Sequence, residues 1–192
     1  MTKVWAALMA MLALTGCWKE TPTQANLSMT SYSYSPVLVT EAKVEGLKIP
    51  FNTKVLAGEA ENANIPRNLG AYMLSWSAGN KDTVAVSAKW VELLTDRAWE
   101  ASLEVSPDDL LRNSLNTASI TLIFGPNGQF VAGTDPSDTG SGKDLASECG
   151  TRTPTQDRDI SAEVDAHALL AEALRFDYPH VPDQTTCPEP AS

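Results

Sequence analysis

The alternation of apolar and polar residues between Tyr72 and Val105 most constrains how this chain can fold. Side chains of a β-strand point alternately to the two faces of a sheet, so a period of two predicts strands with one buried face. Three such segments follow one another, and their apolar faces carry Tyr72, Leu74 and Trp76; then Val84, Val86, Ala88, Trp90 and Glu92; then Trp99, Ala101, Leu103 and Val105. We expect consecutive strands of an antiparallel meander.

Further signals lie on the C-terminal side of these strands. Residues 106–109 (Ser-Pro-Asp-Asp) have the capping residue, proline and acids of a helix start, which predicts a short helix. Residues 120–124 and 129–132 flank Pro-Asn-Gly, a hairpin pattern. Residues 161–176 place apolar side chains at helical spacing. The predicted fold is β-rich α+β, an antiparallel sheet or sandwich with a short helix and a C-terminal helix.

The first sixteen residues have the pattern of a bacterial export signal. Lys3 gives a positive start, and residues 4–14 then carry no charge, a length typical of signal peptides and too short for a membrane-spanning helix. Residues 14–17 (Leu-Thr-Gly-Cys) resemble the bacterial lipobox. The resemblance implies cleavage of the signal peptide 1–16 and a lipid anchor on Cys17. A buried N-terminal helix with a chance cysteine is the alternative.

The lipoprotein resemblance also bears on location and organisation. Trp18, rather than Asp, follows the cysteine, and by enteric-type sorting this implies the periplasmic face of the outer membrane. Residues 17–28 are polar and predict a lipidated tether. Residues 29–192 are expected to form a single globular domain. Within it, residues 133–156 are rich in Gly, Ser, Thr, Asp and Pro, which predicts a long exposed loop.

The acidic balance of the chain narrows its partners. With 14 Lys and Arg against 24 Asp and Glu, the formal net charge is −10. Such a chain repels phosphate backbones, which argues against nucleic acid as a partner. It also argues against electrostatic docking on anionic lipid headgroups, so the membrane would be held through the acyl chains on Cys17. Acidity of this kind usually reflects solubility, and an electropositive protein partner is the alternative interpretation.

Cys149 and Cys187 are the cysteines that remain once Cys17 carries lipid. Export places them in an oxidising compartment, where a disulfide between them is the expected state. Two free thiols are the alternative.

Asp135, Asp138 and Asp144 make the predicted loop acidic. Asp138 begins an Asp-Thr-Gly triplet, but aspartic-protease chemistry needs two such carboxylates sharing a proton, and this chain has one triplet. Calcium binding by the three acids is an alternative, although their spacing does not fit an EF-hand. We predict that they form a contact region for a partner, and a merely solvated loop is the alternative for each residue.

Other catalytic patterns fail on spacing. Residues 140–144 (Gly-Ser-Gly-Lys-Asp) lack the glycine spacing of a Walker phosphate-binding loop, and Asp144 stands where that loop has Ser or Thr. His167 and His180 lack zinc-site spacing, and the chain has no Gly-x-Ser-x-Gly elbow. We therefore predict a protein that is not an enzyme, with no catalytic residue, metal ligand or cofactor. The tryptophans at strand spacing are expected in the core, with a sugar-binding platform as the alternative.

Between residues 84 and 132 the order of elements resembles that of small bacterial lipoproteins. Two Trp-centred strands, at 89–94 and 97–103, are followed by a short helix and the Gly/Pro hairpin at 124–128. Some lipoproteins of this kind are immunity proteins against type VI secretion toxins, including periplasmic lipases. The resemblance implies a protein that binds and neutralises a toxin or another envelope protein. It carries no residue roles, and an envelope structural or small-ligand-binding lipoprotein is the alternative.

Overall fold

A computed structural model describes residues 23–51, 54–62, 67, 72–76, 82–135, 142–158, 171 and 185–190. This part of the chain contains eleven strands and three single turns of 3-10 helix. The strands are β1 (Thr23–Ser31), β2 (Val37–Val44), β3 (Leu47–Lys48), β4 (Lys54–Leu56), β5 (Tyr72–Trp76), β6 (Val84–Glu92), β7 (Ala98–Val105), β8 (Ala118–Phe124), β9 (Gln129–Thr134), β10 (Lys143–Cys149) and β11 (Thr151–Arg152), and the 3-10 turns are Pro107–Asp109, Pro126–Gly128 and Pro154–Gln156.

The strands form two sheets. Sheet A has the order β10-β9-β8-β1-β5, and sheet B has the order β11-β7-β6-β2-β3, with β4 also paired to β2. Paired strands run antiparallel except β1 and β8, which run parallel with Ala25 opposite Ala118. Residues from both sheets share one hydrophobic core. The β-rich part of the predicted fold, a sandwich, is confirmed.

The period-two segments are strands, but their pairing differs in part from the prediction. β6 pairs with β7 antiparallel, with Trp90 opposite Trp99, as expected. β5 instead pairs with β1, in the other sheet, so the prediction of a three-stranded meander is wrong. Alternation fixes which face of a strand is buried and leaves open which strand lies beside it.

The predicted hairpin at residues 120–132 is confirmed by β8 and β9. Every residue of both strands is buried, and their ends close with the Gly125 N–H donating to the Gln129 carbonyl at 2.9 Å. Asn127 and Gly128 have positive φ angles of 57° and 76°. Asn and Gly are the residues that adopt this conformation most readily, which explains why this sequence turns here.

Three aromatic rings meet in the core. The Trp90 ring centroid lies 5.2 Å from that of Phe124 and 5.7 Å from that of Phe130, and the two phenylalanine rings are 5.5 Å apart. All three side chains are fully buried. They join β6 of sheet B to the β8–β9 hairpin of sheet A. Trp99 is also buried, so neither it nor Trp90 can form a sugar-binding platform.

Two segments predicted to be irregular contain strands. β1 covers residues 23–28 of the predicted tether 17–28, with Ala25 and Leu27 fully buried, so any tether is shorter than predicted. β10 and β11 occupy much of the predicted loop 133–156. Most side chains of β10 are exposed. An edge strand is held by backbone pairing and needs little apolar sequence, so its composition resembles that of a loop.

The two helix predictions have different outcomes. The one after Val105 is a single 3-10 turn, Pro107–Asp109, with the Ser106 hydroxyl accepting a hydrogen bond from the Asp108 N–H at 3.3 Å. It is shorter than predicted, since the chain continues through an exposed connection to β8. The C-terminal helix prediction, at 161–176, lies outside the described residues except for Ala171.

The sandwich has two ends, which we call the N-terminal end and the disulfide end. At the N-terminal end, β1 and β8 begin, β9 ends, and residues 106–117 connect β7 to β8. At the disulfide end, β1 and β8 end and residues 93–97 connect β6 to β7. β1 has nine residues, so the two ends are separated by roughly 30 Å along it.

Gly128 provides a test of the packing between hairpin and sheet B. A Cβ atom at Gly128 would overlap the Trp99 ring, whereas a Cβ at Gly46, which has a similar φ of 75°, meets nothing within 4 Å. We expect Gly128→Ala to lower the free energy of unfolding by about 3 kcal/mol, from backbone strain plus overpacking. The control Gly46→Ala carries the strain alone and should lose about 1 kcal/mol. Urea unfolding measures both, and equal losses would contradict the packing described.

Candidate functional site

The predicted acidic contact region has mainly structural contacts. The Arg67 N–H donates to Asp135 Oδ2 at 3.0 Å, and its guanidinium Nη1 lies 2.6 Å from Asp144 Oδ1. Arg67 Nε also donates to the Ala60 carbonyl at 3.0 Å. Asp135 is 4% exposed, so it presents little surface to a partner. Asp144 stays about half exposed in its ion pair, and Asp138 lies outside the described residues.

No metal site emerges from this region. Among the residues that the structure describes, no three His, Cys, Asp or Glu side chains are grouped so that they could hold a metal ion. Arg67 contacts both acids: its guanidinium pairs with Asp144, and its backbone N–H donates to Asp135. The calcium alternative therefore gains no support from the described acids.

The disulfide predicted between Cys149 and Cys187 is present. The Cα atoms are 5.6 Å apart, and the bond joins positions 38 residues apart in the chain. It fixes residues 185–190 against the end of β10. The Asn127 side-chain amide donates to Thr185 Oγ1 at 3.1 Å and to the Cys187 carbonyl at 3.3 Å. The C-terminal segment is thus attached covalently to one strand and by hydrogen bonds to the β8–β9 turn.

A buried carboxylate, Glu92, joins two turns at the disulfide end. Its Oε1 accepts from the Gly128 N–H at 2.8 Å, and its Oε2 accepts from the Thr95 hydroxyl at 2.7 Å. Gly128 belongs to the sheet A hairpin, and Thr95 to the β6–β7 turn of sheet B. Hydrogen bonds to a charged group are stronger than those between neutral groups. Glu92 therefore holds the two turns in a fixed relative position.

The surface above Glu92 is a shallow concave site. It encloses about 70 Å³ and is lined by Tyr34, Ser35, Pro36, Glu92, Leu94, Thr95, Pro126 and Asn127. Leu94 is one of the lining residues and has 48% of its surface exposed. An exposed apolar side chain surrounded by polar groups on fixed turns is the arrangement found at the centre of protein-binding surfaces. We call this set of residues the Leu94 surface.

An ion pair supports the same end from beside the Leu94 surface. Arg152 makes two 2.8 Å hydrogen bonds to the Asp157 carboxylate, and its guanidinium lies 5.2 Å from the Trp99 ring centroid. Asp157 also accepts from the Ala98 N–H at 2.7 Å. The Arg152 hydrogen bond is the largest cause of a lowered Asp157 pKa, about 2, and the Ala98 N–H and the positive charges of Arg152 and Arg97 add to it.

A larger hollow lies on the outer face of sheet B. It encloses about 340 Å³, and its lining includes Glu41, Lys43, Lys89 and Glu100. These charges pair with one another: Lys43 lies 2.6 Å from Glu41, and Lys89 lies 3.2 Å from Glu100. A surface whose charges already neutralise each other attracts a charged partner weakly. The hollow is therefore a poorer candidate than the Leu94 surface.

The comparisons with known proteins give no match: no family model, curated protein or solved structure is similar to this chain. The described residues contain no helix long and apolar enough to cross a membrane. Cys149 is disulfide-bonded, which removes it as a nucleophile. His167 and His180 lie outside the described residues.

Sequence reasoning identified the disulfide and missed the Leu94 surface. By alternation, Glu92 falls on the buried face of its strand. This position was the one signal in the sequence, because a buried carboxylate needs hydrogen-bond partners. Those partners, Gly128 and Thr95, come together only through the packing of two sheets. Asn127 was visible only as a turn residue.

The Arg152–Asp157 pair predicts a pH dependence of stability. The Asp157 pKa is lower in the folded chain than its ordinary value of 3.8, so the pair stabilises above about pH 4 and is lost as pH falls towards 2. Because the carboxylate is 37% exposed, screening reduces the expected contribution to about 1 kcal/mol. Asp157→Asn should be less stable than wild type by that amount at pH 6 and equal near pH 2, measured by urea unfolding. A difference independent of pH would contradict this assignment.

The disulfide predicts both chemical protection and stability. Cys149 and Cys187 should resist thiol labelling of the native protein and label after reduction. Reduction should lower the free energy of unfolding by about 4 kcal/mol, the chain-entropy value for a loop of this length. A Cys149→Ala/Cys187→Ala variant is the control, since reductant should leave its stability unchanged. Equal stability of the oxidised and reduced wild-type chain would show that the bond does not brace this end.

Proposed function

We propose that this protein is a lipid-anchored binding protein that neutralises a secreted protein toxin by direct contact. In this proposal Cys17 carries the lipid, on the periplasmic face of the outer membrane, and the chain catalyses no reaction. The observation that carries the proposal is the Leu94 surface. Its half-exposed leucine lies on the β6–β7 turn, which Glu92 holds to the β8–β9 turn.

Rigidity supports a role in tight binding. Ordering of side chains and loops on association opposes binding, so a surface already fixed in the free protein binds more strongly. Glu92, the disulfide and Asn127 hold the turns and the C-terminal segment of this end before any partner arrives. Inhibition of a toxin requires such a surface and no chemistry of its own.

Position and charge support the same surface. The Leu94 surface lies at the end opposite the start of β1, so a lipid on Cys17 leaves it accessible. Exposed Glu61 lies at this end, where its carboxylate accepts a hydrogen bond from the Ser33 N–H at 3.1 Å. Together with the net charge of −10, it favours a partner with a basic contact face, because complementary charge speeds association and selects the partner.

The proposal moves the contact region away from the acidic loop. Asp135 is buried and Asp144 is paired with Arg67, so neither is free to supply a strong interaction with a partner. The rival reading, an envelope structural or small-ligand-binding lipoprotein, has lost two of the three tryptophans at strand spacing (Trp76, Trp90 and Trp99) that would have formed its platform, because Trp90 and Trp99 are in the core. Its remaining site would be the ion-paired hollow on sheet B.

A toxin encoded by a neighbouring gene is the partner to test. Immunity proteins are inherited with the toxin that they neutralise, so co-expression of such a neighbour, targeted to the periplasm, should be lethal without this protein and tolerated with it. Leu94→Asp should weaken binding of the purified toxin by about tenfold to a hundredfold, as loss of a central apolar contact does. Met73→Asp is the matched control, since Met73 is exposed on the edge strand β5, away from the Leu94 surface.

Two results would contradict the proposal. If cells lacking this protein tolerate the periplasmic toxin as well as cells that have it, the immunity function is wrong. If binding is retained in Leu94→Asp and lost in Met73→Asp, the function stands and the Leu94 surface is not the contact region.

A further inference from the structure

Two exposed leucines lie at the end of the sandwich opposite the Leu94 surface. Leu115, in the connection between β7 and β8, is 82% exposed, and Leu47, at the β2–β3 hairpin, is 53% exposed. Both positions are at the N-terminal end: Ala118 of β8 lies opposite Ala25, and Val44, the partner of Leu47, lies opposite Val86 near the start of β6. Two large apolar side chains therefore point into solvent where the chain enters the fold.

The connection that carries Leu115 is a built turn. The Asn113 side-chain oxygen accepts from the N–H groups of both Leu115 and Thr117 at 3.0 Å. Arg112 Nη1 donates to the Asn116 carbonyl at 3.1 Å, and Asn116 has a positive φ of 61°. These hydrogen bonds lie within the turn and fix its backbone, and they leave the Leu115 side chain exposed at the tip. A leucine in this setting is available for an apolar environment outside the protein.

The start of β1 lies close to the cysteine that would carry lipid. Thr23 lies six positions after Cys17 in the sequence, so their Cα atoms are at most about 21 Å apart even when the chain is fully extended. Since β1 begins beside the start of β8, a lipid on Cys17 is attached at the N-terminal end. Tether length alone permits the sandwich to stand or to lie flat on the membrane, and the positions of the exposed leucines decide between the two.

We propose that the N-terminal end rests on the bilayer, with Leu115 and Leu47 inserted among the lipid headgroups. This inference rests on the lipid anchor of the proposed function. The surface that fits is a zwitterionic one, because the exposed charges of this end are of both signs: Asp109 lies 3.9 Å from Lys143 Nζ, and exposed Lys48 follows Leu47. Such a mixture gives no net attraction to anionic lipid. Apolar insertion in the headgroup region then supplies the contact. The sandwich stands upright, and the Leu94 surface points into the periplasm.

Spin labels at three positions test this orientation in the lipidated chain that begins at Cys17. Single Leu115→Cys, Leu47→Cys and Leu94→Cys variants each offer one thiol for a nitroxide, because Cys149 and Cys187 are bonded and Cys17 carries the lipid. The proteins are reconstituted into vesicles of phosphatidylethanolamine and phosphatidylcholine. Collisions of each label with oxygen and with a water-soluble nickel chelate then report its immersion.

We expect the labels at Leu115 and Leu47 to collide about threefold less with the nickel chelate than the label at Leu94, as for side chains in an interface. Nickel accessibility at Leu115 equal to that at Leu94 overturns the inference. Flotation with the vesicles and mass spectrometry of Cys17 distinguish a wrong orientation from a missing lipid anchor. A chain that floats with lipidated Cys17 and a water-exposed Leu115 label retains its anchor and loses only the orientation. A chain that fails to float, with Cys17 unmodified, overturns both.

Discussion

The disulfide end of this protein depends on three aromatic rings packed between the sheets. Trp90 contacts Phe124 and Phe130, the residues that flank the turn of the β8–β9 hairpin. Aromatic groups bury large areas and prefer particular relative orientations, so this contact sets where the hairpin lies against β6 and β7. Only with the hairpin in that place can the Gly128 N–H reach Glu92 and the Asn127 amide reach Cys187.

The polar contacts of that end then add rigidity that apolar packing alone does not provide. A buried carboxylate is costly unless its oxygens are hydrogen-bonded, and Glu92 meets this condition with partners from both sheets. The Arg152–Asp157 pair and its contact with Trp99 fix the edge of sheet B in a similar way. Directional bonds of this kind specify relative positions, whereas apolar contacts mainly specify proximity.

Local patterns in the sequence predicted local structure well. Alternation placed Trp90 and Trp99 on the buried faces, Asn-Gly chemistry placed the β8–β9 turn, and the expected redox compartment paired Cys149 with Cys187. Long-range pairing was not predictable from such patterns. β5 belongs to the other sheet, although its alternation resembles that of β6 and β7. The edge strand β10 has the composition of a loop, because backbone hydrogen bonds leave no apolar signature in the sequence.

The candidate site was invisible for a related reason. Its residues come from three separate stretches of the chain, and each residue has an ordinary local explanation: Asn127 as a turn residue, Leu94 as part of the β6–β7 turn, and Glu92 as a polar break in an apolar face. The acidic loop attracted attention because its charges are close in sequence. In the fold, Asp135 and Asp144 meet Arg67, a residue too far away along the chain for any motif to include it.

The parallel pairing of β1 with β8 has a consequence for the order of folding. Ala25 and Ala118 are more than ninety residues apart in sequence, and contacts at such separation form late because closing a long loop costs entropy. A chain that crosses a membrane N-terminus first would expose β1 before its central partner strand has arrived. The sandwich would then close only after most of the chain had followed.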